Sequence, residues 1–309
     1  CGILHYCVNS EVHHYVCNNA TGPFSFVDVA LAPRATKWDN GAVHGVSVHR
    51  LPNKTYVLLY MGTLEDNMRT HPNCTAGSND SNANTTFGSH NGRRIGIASS
   101  ASLNGPWQRF ETPLFRPATD AWDNIDVSNP APIISSNGSV IMLYKGRGKQ
   151  AQHMGIAYAT SIDGPYVRNN SGVTAADLPG EDPWGWIDDE SGIFHAVFHT
   201  GNGVDAAGTH CWSKDGVHWF GQQSEPVYTG RMEWASDTSP PHAGHVITLS
   251  RRERPQILLA GGGAGSSYGH PSVLVTSAED CTPKVDGGLG APCAPGSNFI
   301  DRSYTALVS

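Results

Sequence analysis

Two adjacent acids, Glu181 and Asp182, stand directly before Pro183 and an aromatic run, Trp184-Gly-Trp186-Ile. No basic residue lies near them in the chain, so a half-buried Glu181 is expected to have a raised pKa and to be able to donate a proton as a general acid. The plainer reading is a carboxylate pair on a surface loop. A third acid, Glu253, is flanked by Arg251, Arg252 and Arg254. That cluster suits either an ion-pair network or a clamp for ligand hydroxyls. Asp126 and Asn129 belong to the run Asp126-Val-Ser-Asn129-Pro, and His44 to Val43-His44-Gly45. Of the 15 His residues, His199 and His210 sit in strand-like runs and are the tunable groups best placed to face a site. No HExxH or similarly tight ligand spacing occurs, and no metal is expected. Asp188, Asp189 and Glu190 precede Ser-Gly and read as a hairpin turn.

Groups so far apart in sequence need a scaffold that brings distant loops together, and internal repeats supply one. Arg94-Ile-Gly-Ile-Ala with Asn104-Gly-Pro-Trp107 recurs 59 residues later as Met154-Gly-Ile-Ala with Asp163-Gly-Pro-Tyr166. A degenerate third copy runs from His210 to Trp219. Each copy is a short strand, a Gly-containing hairpin turn and an aromatic. A second repeat precedes these: Leu59-Tyr-Met-Gly62, Leu143-Tyr-Lys-Gly146 and the related run Gly192–His199. Trp107, Tyr166 and Trp219 recur after turns and are expected to pack between repeats. Units of about 50–60 residues holding four strands predict an all-β, five-bladed β-propeller, with four-stranded antiparallel blades around a central channel. A β-sandwich is the alternative that the repeats disfavour. The whole chain, 1–309, is read as one such domain. Residues 24–31 are expected to add a strand to the final sheet. Blade four is placed at 235–245, with Asp237, His242 and His245, and blade five at Arg251.

Composition narrows the setting. Only 15% of residues are charged, while Gly numbers 35 and Pro 20, as suits short strands joined by turns. A net charge of -7 without a basic run gives no basis for nucleic-acid binding. No apolar stretch predicts a membrane span. Gly261–Gly265 is not followed by a phosphate-loop signature, so no nucleotide cofactor is expected. Seven sequons, at Asn19, Asn53, Asn73, Asn79, Asn84, Asn137 and Asn169, are expected to carry N-glycans in part, with 66–91 a glycosylated insertion loop. Of the seven Cys, six lie near the ends or in loop-like sequence, which predicts disulfide-pinned extensions at 1–24 and 281–309. Cys211 reads as a buried thiol. The chain begins at Cys1, as a mature or trimmed form would, and is expected to be secreted or extracellular.

Taken together, Arg94-Ile-Gly-Ile-Ala, Asn129-Pro-Ala-Pro, Met142-Leu-Tyr-Lys-Gly146, Gly164-Pro-Tyr166, Glu181-Asp-Pro-Trp and Arg252-Glu-Arg-Pro-Gln256 resemble the five-bladed propellers of glycoside hydrolase family 43 and their eukaryotic relatives. The resemblance implies an inverting glycosidase with three acids: a base in blade one, an orienting Asp in blade two and an acid Glu in blade three. Inversion needs a water between well-separated carboxylates. Glu181 falls at the acid position. The blade-two position reads Asn129-Pro130, and the blade-one position falls at His44-Gly45, which has no acid. A retained base would come from Asp39, Asp126 or Glu253. Otherwise His44 or His210 takes part, or the channel only binds glycan. The expectation is therefore a secreted hydrolase of a plant, algal or cell-surface polysaccharide. Glu181, Asp126 and Glu253 would be catalytic, and His44, Asn129, Asp182, Trp184, His199, His210 and Arg254 would hold substrate. A catalytically silent carbohydrate-binding or structural glycoprotein is the alternative.

Overall fold

Short apolar runs separated by Gly turns favour strands over helices, and strands are what form. The computed structural model describes residues 10–18, 23–64, 92–148, 152–169, 178, 180–201, 207–222, 225–233, 246–248, 251–261, 266–279 and 307–308. No helix occurs among them, so none is long and apolar enough to cross a membrane.

β1 (Val12–Cys17) pairs with β2 (Ser25–Leu31). Blade I is the antiparallel meander β3 (Ala42–Arg50), β4 (Tyr56–Thr63), β5 (Arg94–Ser100) and β6 (Gln108–Arg109). Blade II repeats it as β7 (Asp126–Ile134), β8 (Val140–Arg147), β9 (Gln152–Ala159) and β10 (Val167–Arg168). Blade III is β11 (Glu181–Ile187), β12 (Phe194–Thr200), β13 (Ala207–Ser213) and β14 (Trp219–Gln222), with β15 (Tyr228–Thr229) also on β13. A ribbon of β16 (Arg231–Glu233) and β17 (Val246–Thr248) precedes the hairpin of β18 (Arg251–Ala260) and β19 (His270–Glu279). Finally, β20 (Leu307–Val308) lies parallel to β1.

The sheets pack face to face in sequence, as propeller blades do. Leu59, Ile95 and Ile97 of blade I meet Val127, Met142 and Tyr144 of blade II. Ile133 and Leu143 of blade II meet Phe198, Cys211 and Trp219 of blade III. Trp184, Trp186 and Val197 of blade III meet Tyr228 and Ile257. Val12 and Leu31 of the β2-β1-β20 sheet meet Val43, Leu58 and Tyr60 of blade I. The five-bladed propeller is thus the fold, although its blades are numbered differently from the sequence reading. The β18–β19 hairpin is the fourth sheet in packing order. The sheet holding β2, from the segment expected to join the last blade, is the fifth and contains strands from both parts of the chain. Trp107, Tyr166 and Trp219 pack against these inter-blade cores.

One device braces both of the first two blades. Asp39 is wholly buried and accepts hydrogen bonds from the Tyr60 hydroxyl at 2.8 Å, Arg34 Nε at 2.9 Å and Arg109 Nη1 at 3.1 Å. In blade II, Asp123 accepts from the Tyr144 hydroxyl and from Arg168 Nε, both at 2.9 Å. Trp38 stacks on Tyr60 and Trp122 on Tyr144, with centroids 5.8 and 6.0 Å apart. A Cβ at Gly62 would lie 2.5 Å from Trp38, and one at Gly146 2.5 Å from Trp122. The Leu-Tyr-X-Gly repeat therefore encodes a brace between Trp-Asp and the second strand. Asp39, one source considered for a base, is committed to that brace.

Of the sequons, Asn53 and Asn137 lie in exposed turns and Asn169 is half-buried. Asn19, Asn73, Asn79, Asn84, most of the 66–91 loop, most of the two extensions, blade-four residues Asp237, His242 and His245, and Cys1, Cys7, Cys74, Cys281 and Cys293 lie outside the described residues. Cys17 and Cys211 are buried, and burial pushes the Cys211 thiol up to about 12.

Candidate functional site

Four inner strands break register at matching points. The ladder slips between His44 and Ser47, Ser128 and Ala131, Glu181 and Trp184, and Glu253 and Gln256. The second residue of each bulge is left-handed: Gly45 at φ 59°, Asn129 at 52°, Asp182 at 51° and Arg254 at 54°. Gly, Asn and Asp tolerate that region; Arg enters it only when its surroundings hold it there. Pro130, Pro183 and Pro255 come next, each lacking an N–H where the ladder is already broken. His44, Ser128, Glu181 and Glu253 are therefore structural counterparts. Asn129, read at the orienting blade-two position, corresponds to Asp182 in register, and Ser128 to Glu181. Opposite these four across the ladder lie Met61, Lys145, His199 and Ser277.

The bulges bring the predicted residues into contact from different blades. Asn129 Nδ2 donates to Asp182 Oδ1. Arg254 Nη1 lies 3.8 Å from the same oxygen, and Arg254 Nη2 donates to His44 Nε2 at 2.8 Å. That assigns the His44 proton to Nδ1, 2.8 Å from Ser10 Oγ. Gly45 makes room for this reach, since a Cβ there would lie 3.2 Å from Arg254 Nη1. Gln256 Nε2 also bonds the Val46 carbonyl at 3.3 Å, tying β18 to β3. Glu181 Oε2 is paired with Lys145 Nζ of blade II.

The charges decide protonation. Burial alone would raise the Glu181 pKa, but the Lys145 ammonium, its hydrogen bond, His199 and Arg254 together hold the carboxyl below its ordinary value. The expected raised pKa is thus overturned by a cation 36 residues away in sequence. Burial, followed by the charges of Arg254 and Arg93, pushes His44 well down, so it is neutral.

Other predicted residues are placed differently. Asp126 is wholly buried between Arg93 Nη2 at 3.2 Å and Arg147 Nε at 2.7 Å, so its charge is already balanced. Trp184 is buried, and its ring stacks on His49 of β3 with centroids 5.1 Å apart. That contact leaves the ring packed rather than presented as an open platform. Glu253 is buried beside Tyr228, whose hydroxyl pKa is raised by burial, then by Asp182 and Glu253. Arg252 turns to Thr276 Oγ1 at 3.0 Å, away from the contacts made by Arg254. His199 is buried opposite Glu181, with Nδ1 unpartnered. His210 is not brought to this group. It bonds His195 at 2.9 Å at the other end of the β11–β12 hairpin, with both rings near Trp186. Burial lowers the pKa of both histidines.

Sequence reasoning missed Lys145, Ser128 and Ser10. The available signal was the X of Leu-Tyr-X-Gly, which is Met61 in one copy and Lys145 in the next. An ammonium in an otherwise buried strand needs a partner. Among the described residues, Asp188, Asp189 and His270 form a possible metal-ligand group. His270 of β19 pairs with both carboxylates beside the β11–β12 turn, where Asp188 also accepts from Ser191 as the turn reading expects.

No family model matches the chain, and no curated protein is similar to it. Its fold is shared with solved structures. It is similar to Zg3597, a family 117 glycoside hydrolase of Zobellia galactanivorans, at TM-score 0.50 and 17% identity over 79% of this chain. The match spans 65% of Zg3597. A protein of Bacteroides thetaiotaomicron named as a glycosidase matches at TM-score 0.51 and 13% identity, over 84% of this chain and 71% of that one. A Parabacteroides distasonis protein named as a glycoside hydrolase matches at 0.51 and 12%, over 93% and 75%. The chain thus has a propeller fold that occurs among glycoside hydrolases, and the likeness does not single out family 43.

Proposed function

We propose that this chain is a glycoside hydrolase whose site lies at the four bulges. The observation that carries the reading is the convergence of Asn129, Asp182, Arg254 and His44 from four inner strands, with Glu181 next to Asp182 on β11. Ser128 Oγ, His199 Nδ1 and the Tyr228 hydroxyl add buried polar atoms without partners, which sugar hydroxyls could satisfy. Glu181 donates the proton to the leaving oxygen. Glu253, its counterpart on β18, is the carboxylate that the register offers as base for an inverting reaction. Asn129, Asp182 and Arg254 hold hydroxyls. The substrate is a plant, algal or cell-surface polysaccharide, as for a secreted family 43 relative carrying N-glycans at exposed sequons such as Asn53 and Asn137.

Aryl glycosides and a panel of such polysaccharides test this reading. Glu181→Gln should cut turnover by about 10²-fold or more, as loss of a general acid does. Unchanged turnover removes Glu181 from that role. His44 and Ser128 at positions matching Glu181 favour a second reading, a silent glycan-binding propeller. On that reading, no panel member is cleaved, yet one binds and Asn129→Ala weakens it.

A further inference from the structure

Lys145 was not among the residues expected to do chemistry, yet it forms an ion pair with Glu181. Its counterpart in blade I is Met61, opposite His44, and in blade III His199, opposite Glu181. The same ladder position therefore presents a thioether, an ammonium and an imidazole in three successive blades. Lys145 is buried within β8, where an ammonium persists only if paired. The pair crosses from blade II to blade III. The titratable and charged groups acting on Glu181 are Lys145 from β8, His199 from β12 and Arg254 from β18, with Asp182 adjacent on β11.

We propose that Lys145 is the positioning residue of this site, its buried ammonium governing whether Glu181 carries a proton. The consequence for catalysis rests on the glycoside hydrolase reading. When Glu181 gives its proton to the glycosidic oxygen, the carbon–oxygen bond breaks, the electron pair stays on the leaving oxygen, and a water that passes its proton to Glu253 forms the new bond to the anomeric carbon. Glu181 becomes the carboxylate that Lys145 stabilises, and solvent later returns the proton. Lys145 thus makes Glu181 a stronger acid while reducing the protonated share at neutral pH. The working range lies on the acid side.

The test is a carbon-13 NMR titration of the glutamate side-chain carboxyls in the full chain, with Glu181→Gln identifying the resonance. Glu181 should titrate below the ordinary range in the wild type. In Lys145→Met, which copies blade I, and in Lys145→Gln, its midpoint should rise by about one pH unit or more, a tenfold change. Lys145→Arg should restore the low value. A midpoint that stays put in whichever uncharged variant folds overturns the proposal. On a cleaved substrate, the alkaline limb of kcat/KM should move up by the same amount in Lys145→Met, and an unmoved limb overturns the catalytic half. If the resonance moves but no variant cleaves any glycan, the hydrolase reading fails and the charge-setting pair stands.

Discussion

Arg254 connects three strands of the site, reaching from β18 to His44 on β3 and towards Asp182 on β11. It does so from a backbone conformation that costs an L-residue roughly 1–2 kcal/mol. A side chain held there is sustained by its contacts, and a variant can separate the two terms. Arg254→Gly loses the guanidinium but relieves the backbone. Arg254→Ala loses the guanidinium and keeps the strain. We expect Arg254→Ala to be the less stable of the two by about 1 kcal/mol in urea melts, and equal stabilities would deny the strain. The same residue shows why the site was only partly legible. Gly45 announces a positive φ by its type, and Asn129 and Asp182 permit one, but nothing in an Arg followed by Pro does so. Glu181, Asp182, Asn129, Arg254 and His44 were identifiable as chemical groups from their motifs. The pairing of Glu181 with Lys145 was not, because it depends on how blades II and III meet.

At the scale of elements, the repeats were a faithful guide. Leu-Tyr-X-Gly marks the second strand because its Tyr reaches a buried Asp and its Gly admits the Trp before that Asp. The gap between two copies did not obscure them, since insertions in loops leave the braced strands unchanged. Less legible was the order of the last sheets, where β18–β19 is described as a two-stranded hairpin and the fifth sheet draws on distant parts of the chain. The brace makes a quantitative prediction. Asp123→Asn leaves the Arg168 guanidinium, 15% exposed at its side chain, without its charged partner. Stability should fall by about 3–5 kcal/mol, as when one member of a buried pair is removed. Chemical denaturation would read this directly, and a loss under 1 kcal/mol would show that the pair is not structural.

For the whole molecule, several buried or half-buried imidazoles are held in neutral form. His49, stacked on Trp184, is lowered by burial to about 3, and His44, His195 and His210 are lowered as well. In the unfolded chain they take up protons near pH 6.5. Below that value the unfolded state binds more protons than the native one, so the native state loses stability as pH falls. Each fully affected group contributes a slope of about 1.4 kcal/mol per pH unit. Melts between pH 7.5 and 5 should show this decline. His49→Gln should be less stable at neutral pH but should have a shallower slope, by about one proton's worth. An unchanged slope would exclude His49 as a source of acid sensitivity.

The four matching kinks have an implication for how such a socket changes over time. Its shape is written in the main chain, through bulges and a following Pro or Val, while the groups it displays differ from strand to strand as Gly, Asn, Asp and Arg. Chemistry and scaffold are thus separately editable at Asn129 and Asp182, where another residue on the same bulge would display another group, whereas Gly45 is fixed by the 2.9 Å that a Cβ there would leave to Met61.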